Sequence, residues 1–345
     1  MTERVRVAVI GAGRIGRHHA RTIATQIPGV ELAALVDADE SVVREAAAAV
    51  RCDRWTTAPA EVLDDRSVQA VVIASPTGSH ASLVMEAAAA GKDIFCEKPI
   101  ALSLEETDAA LDAVSNSGVR LQVGFQRRFD PGYRAARDLV GSGELGWIHS
   151  VWACTYDQAP PHAAYIPTSG GIFRDCSVHD FDIVRWVTGR EVVTVYAQGA
   201  NRGAAFFAEA GDVDTGSAVL ELDDGTQVLL GATRYNGAGH DVRMEVHGSA
   251  GSVAVGLDDA TPLRSAEAGV GWPGGTAYQH FTQRFAVGYR AELVAFCEVA
   301  AGRAPSPCSG EDALAALLIA NAAEESRRTR RRVTVDRTPS VEVPA

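Results

Sequence analysis

Asp175 and His179 have the types and spacing that acid–base chemistry at a hydroxyl group requires. They lie four positions apart, so on a helix they share one face and can hydrogen-bond. The carboxylate would fix the tautomer of the imidazole and support its protonated form, as the orienting partner of a general base. The structural alternative is that Asp175 or Ser177 caps the helix that continues to Thr188, while His179 packs. The spacing alone favours this structural alternative.

Lys98 is a second candidate, in the tripeptide Glu97-Lys98-Pro99. It directly follows the short apolar segment 93–96, which is predicted to be a strand. A lysine there can donate to a substrate hydroxyl and stabilise a developing alkoxide. The alternative is a surface lysine at a turn, although the proline restricts the backbone more than such a turn requires.

A glycine-rich segment predicts the element that would bring a cofactor to these side chains. The β-branched run Val5 to Ile10 reads as a buried strand. The spacing G-x-G-x-x-G follows, and then a helical segment from Arg17 to Gln26. Glycines at these points allow a tight turn, close approach to a pyrophosphate and close packing of helix on strand. The expected cofactor contacts in this segment are Gly11, Ala12, Gly13, Arg14 and Ile15.

Asp37 indicates which dinucleotide binds. It ends the apolar stretch Val30 to Val36, about 20 residues past the glycines, where a carboxylate accepts hydrogen bonds from the adenosine ribose. The same carboxylate would repel a 2′-phosphate, and no arginine follows in Ala38-Asp39-Glu40. The sequence therefore predicts NAD rather than NADP.

Strands and helices alternate as far as residue 124, which predicts a parallel α/β domain over 1–124. Helices are predicted at Glu40 to Val50 and, from the capping box Ser103-x-x-Glu106, at Ser103 to Ser117. Leu121 to Gly124 is expected to be the sixth strand. The loop after residue 74 lies at the carboxyl end of a parallel strand, where ligands of such sheets bind. The expected contacts there, with Glu97 and Lys98 from the next strand, are Ser75, Pro76, Thr77 and His80. His80 either approaches the cofactor or caps the following helix.

The remainder, 125–345, predicts a second domain with a large, mostly antiparallel open sheet of five or six strands. Its helical segments are expected at about 130–140, at 278–301 and at 310–328, with a last short strand at 332–335. The predicted strands are 148–156, 192–200, 218–222, 227–233, 242–247 and 252–255.

Composition excludes several classes of partner. The formal charge of −12 argues against nucleic acid or an acidic membrane surface. The arginine-rich run at 327–332 fits a solvated helix end. Six cysteines without a C-x-x-C pair indicate reduced thiols in a cytoplasmic protein. A strand that begins at residue 5 leaves no room for a signal peptide, and no apolar run is long enough to cross a bilayer.

These motifs together resemble the glucose–fructose oxidoreductase / inositol dehydrogenase / rhizopine catabolism (Gfo/Idh/MocA) family, and within it most closely the bacterial myo-inositol 2-dehydrogenases. The resemblance rests on G-A-G-R-I-G, E-K-P, Q-V-G-F-Q-R-R-F-D and G-G-x-x-x-D-x-x-x-H-D-x-D, in this order over nearly the whole chain. It implies a Rossmann domain, an α/β domain with a large open sheet, and a homotetramer. It also implies catalytic roles for Lys98, Asp175 and His179, and a polyol pocket lined by Arg127, Asp157, Asp175, His179 and Tyr289.

The activity expected from this resemblance is hydride transfer from a secondary hydroxyl carbon of a cyclic polyol to NAD, without a metal. Tyr235 and His240 occupy a stretch that departs from the expected arrangement of aromatic hydroxyls. Another cyclitol, an aminocyclitol or a sugar is therefore an alternative substrate. A regulator that binds a dinucleotide or sugar without turnover is a further alternative, disfavoured because such proteins lose the lysine and the histidine.

Overall fold

The computed structural model describes residues 4–336, which form two compact units. Unit 1 contains residues 4–129 and 287–314, and unit 2 contains residues 130–286 and 315–336. The units thus differ from the continuous segments 1–124 and 125–345 of the sequence-based division. Residues 287–314 join unit 1 because their apolar side chains complete its core, as shown below.

Strands in the described residues are numbered in chain order. They are β1 Val5–Ile10, β2 Val30–Val36, β3 Trp55–Thr56, β4 Ala70–Ile73, β5 Asp93–Glu97, β6 Leu121–Gly124, β7 Ile148–Tyr156, β8 Val192–Ala200, β9 Thr215–Leu222, β10 Gln227–Thr233, β11 Asp241–Gly248, β12 Ser252–Val255 and β13 Val333–Thr334.

Helices are numbered in the same way. They are α1 Arg14–Gln26, α2 Glu40–Val50, α3 Ala60–Leu63, α4 His80–Ala89, α5 Leu104–Ser117, α6 Pro131–Gly141, α7 Val178–Thr188, α8 Phe206–Glu209, α9 Phe281–Arg284, α10 Ala286–Ala300 and α11 Gly310–Thr329. Three 3₁₀ turns (Thr77–Ser79, Gln126–Phe129, Ala163–Thr168) and one π-helical turn (Phe173–Ser177) connect them. No helix between residues 4 and 336 combines the length and apolarity needed to cross a membrane.

Unit 1 is built on a six-stranded sheet with the order β3-β2-β1-β4-β5-β6, in which every neighbouring pair is parallel. This is the doubly wound dinucleotide-binding arrangement, so the Rossmann prediction is confirmed. Strand order reverses between β1 and β4, and loops that follow these strands open at the same edge. Local signals set the helices: Ser103 accepts a hydrogen bond from the Glu106 backbone N–H at 3.2 Å, as the capping box predicts.

The unit 1 core explains why a C-terminal helix belongs to this domain. Leu293 and Phe296 of α10 are fully buried in the same apolar cluster as Val7, Leu35 and Phe95 of the sheet. The predicted single helix over 278–301 is two helices, α9 and α10, separated at Phe285. Burial of large apolar side chains is worth about 1.5–3 kcal/mol each, which is ample to hold α10 on unit 1.

Unit 2 is built on a seven-stranded open sheet with the order β12-β11-β7-β10-β9-β8-β13. All its pairs are antiparallel except β7 and β10, which run parallel. The prediction of a mostly antiparallel open sheet is confirmed, whereas the count of five or six strands is too low. Residues alternate between buried and exposed along β9, which gives the sheet one covered and one open face.

Candidate active site

The glycine loop after β1 has the geometry that close approach to a ligand requires. Gly11 has φ +103°, and a Cβ there would lie 2.4 Å from the Ser75 backbone nitrogen. A Cβ on Gly16 would lie 1.9 Å from the Gly11 carbonyl oxygen. Both glycines are therefore required by packing within the protein. A Cβ on Gly13 would meet no described protein atom within 4 Å, so here glycine leaves main chain open to a ligand.

Asp37 closes this loop at the end of β2. Its carboxylate accepts hydrogen bonds from the Ala12 backbone N–H at 2.7 Å and from the Asp39 N–H at 3.0 Å. The guanidinium of Arg17 donates to the Ala12 carbonyl oxygen and forms an ion pair with Glu45. The Asp37 carboxylate thus lies against the glycine loop, and the charge of Arg17 is neutralised by Glu45. These residues fit an NAD ribose and pyrophosphate.

His80 joins two loops of unit 1. It is the first residue of α4 and only 2% exposed. Its Nε2 lies 2.8 Å from the Ser75 carbonyl oxygen, and its Nδ1 lies 2.8 Å from the Pro99 carbonyl oxygen. The ring therefore contacts backbone carbonyls of the loops after β4 and β5 rather than the free N–H groups of its own helix. This geometry differs from the helix-capping alternative, and direct contact with the cofactor stays a prediction.

Lys98 directly follows β5 and is half-buried. The preceding residue, Glu97, is turned into the protein, where its carboxylate lies 2.6 Å from Nε2 of the buried His19 on α1. The Lys98–Pro99 peptide bond is cis. Because it follows β5 of the parallel sheet, Lys98 leaves the sheet at its carboxyl edge, where the loops that carry Gly11 and Ser75 also begin, and its contact with the cofactor stays a prediction.

Glu292 of α10 lies beside Glu97 and His19 and is fully buried. Neither oxygen of its carboxyl group has a hydrogen-bond partner. Burial, and then the charge of Glu97, raises the pKa of Glu292 well above its usual range. The three side chains offer metal-ligating atoms within 4.8 Å of one another. However, His19 bonds Glu97, and Glu292 retains its proton, so the three residues form a proton-bearing cluster. We call it the buried carboxyl cluster (His19, Glu97, Glu292).

Replacing Glu292 with glutamine is expected to stabilise the protein increasingly as the pH rises. Native Glu292 keeps its proton above the pKa of about 4.3 of an unfolded-state glutamate. The native state therefore binds more protons in this window, and its stability falls as the pH rises through it. Glutamine removes this dependence, so chemical denaturation should show an advantage for Glu292→Gln at about pH 8 that is absent at about pH 4.

Glu298 on the same helix is the matched control. Its hydrogen bond to Arg303 lowers its pKa, so Glu298→Gln should not gain stability at the higher pH. A Glu292→Gln effect that is the same at both pH values would contradict the assignment of a neutral carboxyl group.

Tyr289 and Arg127, expected at the polyol pocket, both belong to unit 1. Tyr289 is buried on α10, and its ring packs edge-on against His18 at 5.3 Å and His19 at 6.0 Å between centroids. Burial raises the pKa of the Tyr289 hydroxyl well above its usual range, so this group remains a donor. Arg127 lies in the 3₁₀ turn after β6 and is 2% exposed.

Asp175 and His179 belong to unit 2, where a double glycine precedes them. Gly170 and Gly171 both have positive φ, and Asp175 then lies in the π-helical turn before α7. Such turns are wider than an α-helix and are frequent at functional sites. Gly189 ends α7 in the left-handed conformation, as the sequence predicts. Ser177, the N-cap residue of α7, makes no side-chain cap hydrogen bond.

Arg234 links the two acidic residues that sequence reasoning had placed at the substrate. Its guanidinium donates to Asp157 at 3.0 Å and to Asp175 at 2.6 Å, and it is only 3% exposed. Burial alone would lower the pKa of Arg234, but the facing acidic groups raise it well above its usual range. The other oxygen of Asp175 accepts a hydrogen bond from the Tyr165 hydroxyl at 2.9 Å. We call Arg234, Asp157 and Asp175 the carboxylate clamp.

Asp157 has further partners. His240 Nδ1 lies 3.4 Å from Asp157 Oδ1. The Cys176 thiol lies 3.5 Å from Asp157 Oδ2, the oxygen that also accepts from Arg234. Although burial opposes ionisation, His240 and Arg234 lower the pKa of Asp157. Tyr235, by contrast, is 41% exposed, and its hydroxyl accepts a hydrogen bond from the Ala204 backbone N–H. Of the two residues noted in the sequence, His240 contacts Asp157, whereas Tyr235 bonds the loop that carries Ala204.

Arg234 and Tyr165 are absent from the sequence-based set. The missing signal was the parallel pairing of β7 with β10, which places Tyr156 opposite Thr233. Because the carboxyl ends of parallel neighbours meet at one edge, the next residues, Asp157 and Arg234, lie side by side. The prediction of a mostly antiparallel sheet did not say which strands would be parallel, so it could not predict that pair.

Known families and structures match this chain over most of its length. Residues 5–125 match a family described as an oxidoreductase family with an NAD-binding Rossmann fold, and residues 133–254 match the GFO/IDH/MocA C-terminal domain. A scyllo-inositol 2-dehydrogenase (NAD(+)) of Bacillus subtilis is 38% identical over 88% of this chain and 89% of its own. An inositol 2-dehydrogenase of Rhizobium meliloti is 37% identical over 96% of this chain and 99% of its own.

A solved structure shows the same fold. The scyllo-inositol dehydrogenase of Lactobacillus casei, crystallised with bound NAD(H) and scyllo-inositol, matches with a TM-score of 0.87 at 30% sequence identity. The match covers 96% of this chain and 99% of that one.

Proposed function

Because this chain belongs to the GFO/IDH/MocA family of oxidoreductases, we propose that it is an NAD-dependent dehydrogenase of cyclic polyols of the inositol type. The reaction removes a hydride from a secondary hydroxyl carbon and a proton from its oxygen, which leaves a ketone. The observation that carries the proposal is the likeness over 96% of the chain to an enzyme solved with both NAD(H) and an inositol bound.

The cofactor supplies the hydride acceptor when bound at the glycine loop. The open main chain at Gly13, the helix that begins at Arg14 and the carboxylate of Asp37 fit its pyrophosphate and ribose. Glu97 ends β5 and Lys98 follows it, at the same edge of the sheet as the glycine loop. The remaining proposed contacts are Gly11, Ala12, Ile15, Ser75, Pro76, Thr77 and His80.

His179 is proposed to remove the hydroxyl proton, with Asp175 stabilising the imidazolium that forms. Lys98 donates to the substrate oxygen and stabilises the developing alkoxide. Asp175 already accepts from Arg234 and Tyr165, but each carboxylate oxygen has a second lone pair for a further donor. The carboxylate clamp therefore fixes the orientation of the Asp175 carboxylate.

The proposed polyol contacts are Arg127, Asp157, Asp175, His179 and Tyr289. Carboxylates accept hydrogen bonds from ring hydroxyls, whereas guanidinium and phenol groups donate to their oxygens. A substrate rich in hydroxyl groups suits this mixture of donors and acceptors. His240 beside Asp157 is the residue most apt to tune which isomer binds.

Reduction of NAD against a panel of inositols, aminocyclitols and aldoses tests the proposal. Turnover with at least one inositol, at a kcat/KM above those of the other classes, is the expected result. Preference for an aminocyclitol or a sugar would replace the substrate class. Binding of NAD and polyol without turnover would indicate a sensor instead of an enzyme.

Cofactor preference gives a prediction of its own. The wild-type enzyme should show a higher kcat/KM with NAD than with NADP, since Asp37 repels a 2′-phosphate. The double variant Asp37→Ala/Ala38→Arg should relax or reverse this preference because it removes the repulsion and adds a cation. Equal or better kcat/KM of the wild type with NADP contradicts the assignment.

A homo-oligomer, which the family resemblance makes a tetramer, is proposed from the open face of the second sheet. Four strands place Trp152, Tyr196, Val219 and Leu229 on it, and each side chain is at least 36% exposed. Such a continuous apolar surface is typical of a face covered by another subunit. Light scattering at micromolar concentration should give an oligomer for the wild type and a smaller species for Trp152→Asp. A wild-type monomer would contradict this proposal.

Cysteine usage supports a cytoplasmic location. All six cysteines are free thiols, and five of them are buried. Such usage is typical of proteins in a reducing compartment.

A further inference from the structure

Two buried histidines contact the residues on either side of Lys98. His19, from the helix after the glycine loop, is fully buried, and His80, from the start of α4, is 2% exposed. His19 bonds the side chain of Glu97, and His80 bonds the main chain of Pro99. All of these residues belong to unit 1.

The hydrogen bond on the amino-terminal side of Lys98, between His19 and Glu97, is enclosed by neighbouring elements of unit 1. His19 Nε2 lies 2.6 Å from Glu97 Oε1, and Glu97 is the last residue of β5. A Cβ on Gly124 of the next strand would lie 3.1 Å from Glu97 Oε2, so β6 packs closely on this carboxylate. Burial raises the pKa of Glu292, the third member of the buried carboxyl cluster, well above its usual range, so that carboxyl group stays neutral.

The bond on the carboxyl-terminal side links two loops through one ring. Both contacts of His80 are carbonyl oxygens, which only accept. A neutral imidazole donates to one of them and an imidazolium donates to both. Through Ser75 and Pro99, His80 ties the segment that carries Lys98 to the loop after β4.

We propose that His19 and His80 are positioning residues for Lys98: each anchors one chain neighbour of the lysine to an element that carries a cofactor loop. The inference rests on the role proposed for Lys98 above. Fixing the residues on both sides fixes the Cα of Lys98 and the direction in which its flexible side chain starts. A misplacement of about 1 Å at a catalytic group can cost about 100-fold in rate.

Asparagine and glutamine substitutions distinguish the loss of one histidine hydrogen bond from a general effect on packing. The amide nitrogen of asparagine lies as many bonds from Cα as histidine Nδ1, and that of glutamine as many as Nε2. His80→Asn therefore keeps the donor toward Pro99, and His80→Gln keeps only the one toward Ser75. At His19 the order is reversed, because its bond to Glu97 uses Nε2.

The proposal predicts a crossed pattern of turnover numbers. Within each pair, the variant that keeps the bond beside Lys98 should have the higher kcat: His80→Gln should fall about 10- to 100-fold below His80→Asn, and His19→Asn should fall as far below His19→Gln. The KM for NAD should change less than kcat in all four. Equal losses within each pair would show that the histidines only fill space and would overturn the proposal.

A second measurement does not depend on turnover. Lys92 and Lys98 are the only two lysines in the sequence, so protein labelled with ¹³C at the lysine ε-carbon gives two signals. Lys92 is an internal control, since its ammonium donates to the carbonyl oxygens of Asp65 and Val68, neither of which is a residue that the two histidines are proposed to anchor. The Lys98 signal should shift or broaden in His80→Gln and His19→Asn, while the Lys92 signal stays unchanged.

These two readouts separate the inference from the proposed function. If no polyol is oxidised but the Lys98 signal follows the crossed pattern, the positioning role stands and the activity is wrong. A Lys98 signal identical to wild type in folded His80→Gln and His19→Asn overturns the positioning role, whatever the enzyme oxidises.

Discussion

Replacing His179 with alanine is expected to lower kcat about 10²- to 10⁴-fold, because a positioned general base contributes this much to proton transfer. The dissociation constant for NAD, measured by fluorescence titration, should stay near the wild-type value, since none of the proposed cofactor contacts is removed. Asp175→Asn should also lower kcat strongly without unfolding the protein. The amide carries no negative charge, so it stabilises the His179 imidazolium less and weakens the bond to Arg234.

His149→Ala is the matched control for this experiment. His149 is an exposed histidine on β7 that no step of the mechanism uses, so its loss should leave kcat unchanged. Full turnover in both His179→Ala and Asp175→Asn would remove the proposed mechanism.

Removing the buried cation of the carboxylate clamp has the second large expected effect. Arg234→Met leaves Asp157 and Asp175 without the guanidinium that bridges them. Breaking a buried pair by removing one partner typically costs about 3–5 kcal/mol of unfolding free energy. We also expect kcat/KM to fall, because both carboxylates lose their fixed orientation.

The pH dependence distinguishes this electrostatic cause from lost packing. The folded-state pKa of Asp157 is lowered, so its contribution to stability is present above its unfolded pKa and is lost as the pH falls through the folded value. The deficit of Arg234→Met should therefore be largest near neutral pH and shrink on acidification. Arg234→Lys keeps the charge but cannot bridge two carboxylates in one plane, so it should recover part of the stability. An equal deficit at acidic and neutral pH would contradict the clamp.

Local sequence signals predicted most individual elements of this fold. β1, β2 and β6 have the predicted bounds because a short run of apolar residues ended by glycine or a charge suffices to define a buried strand. The capping box at Ser103 likewise set the start of α5. Helix α1 begins at Arg14, three residues earlier than predicted, because the glycine loop is tighter than its spacing indicated.

Long-range pairing explains what the sequence did not reveal. The contact between His19 and Glu97 joins residues 78 positions apart, and that between Arg234 and Asp157 joins residues 77 apart. No periodicity encodes such contacts, since they depend on strand order and on the one parallel pair of the second sheet. Lys98 and Asp175 were found because each adjoins a local motif, whereas Arg234 adjoins none.

Deuterium transfer tests the central claim most directly. The enzyme is incubated with NAD and fully ring-deuterated inositols, and the reduced cofactor is analysed by mass spectrometry. Our account predicts NADH that carries one deuterium, formed more slowly than with unlabelled polyol when hydride transfer limits the rate, and loss of this product in His179→Ala. Absence of deuterium from the cofactor with every inositol tested would contradict oxidation of a polyol by direct hydride transfer.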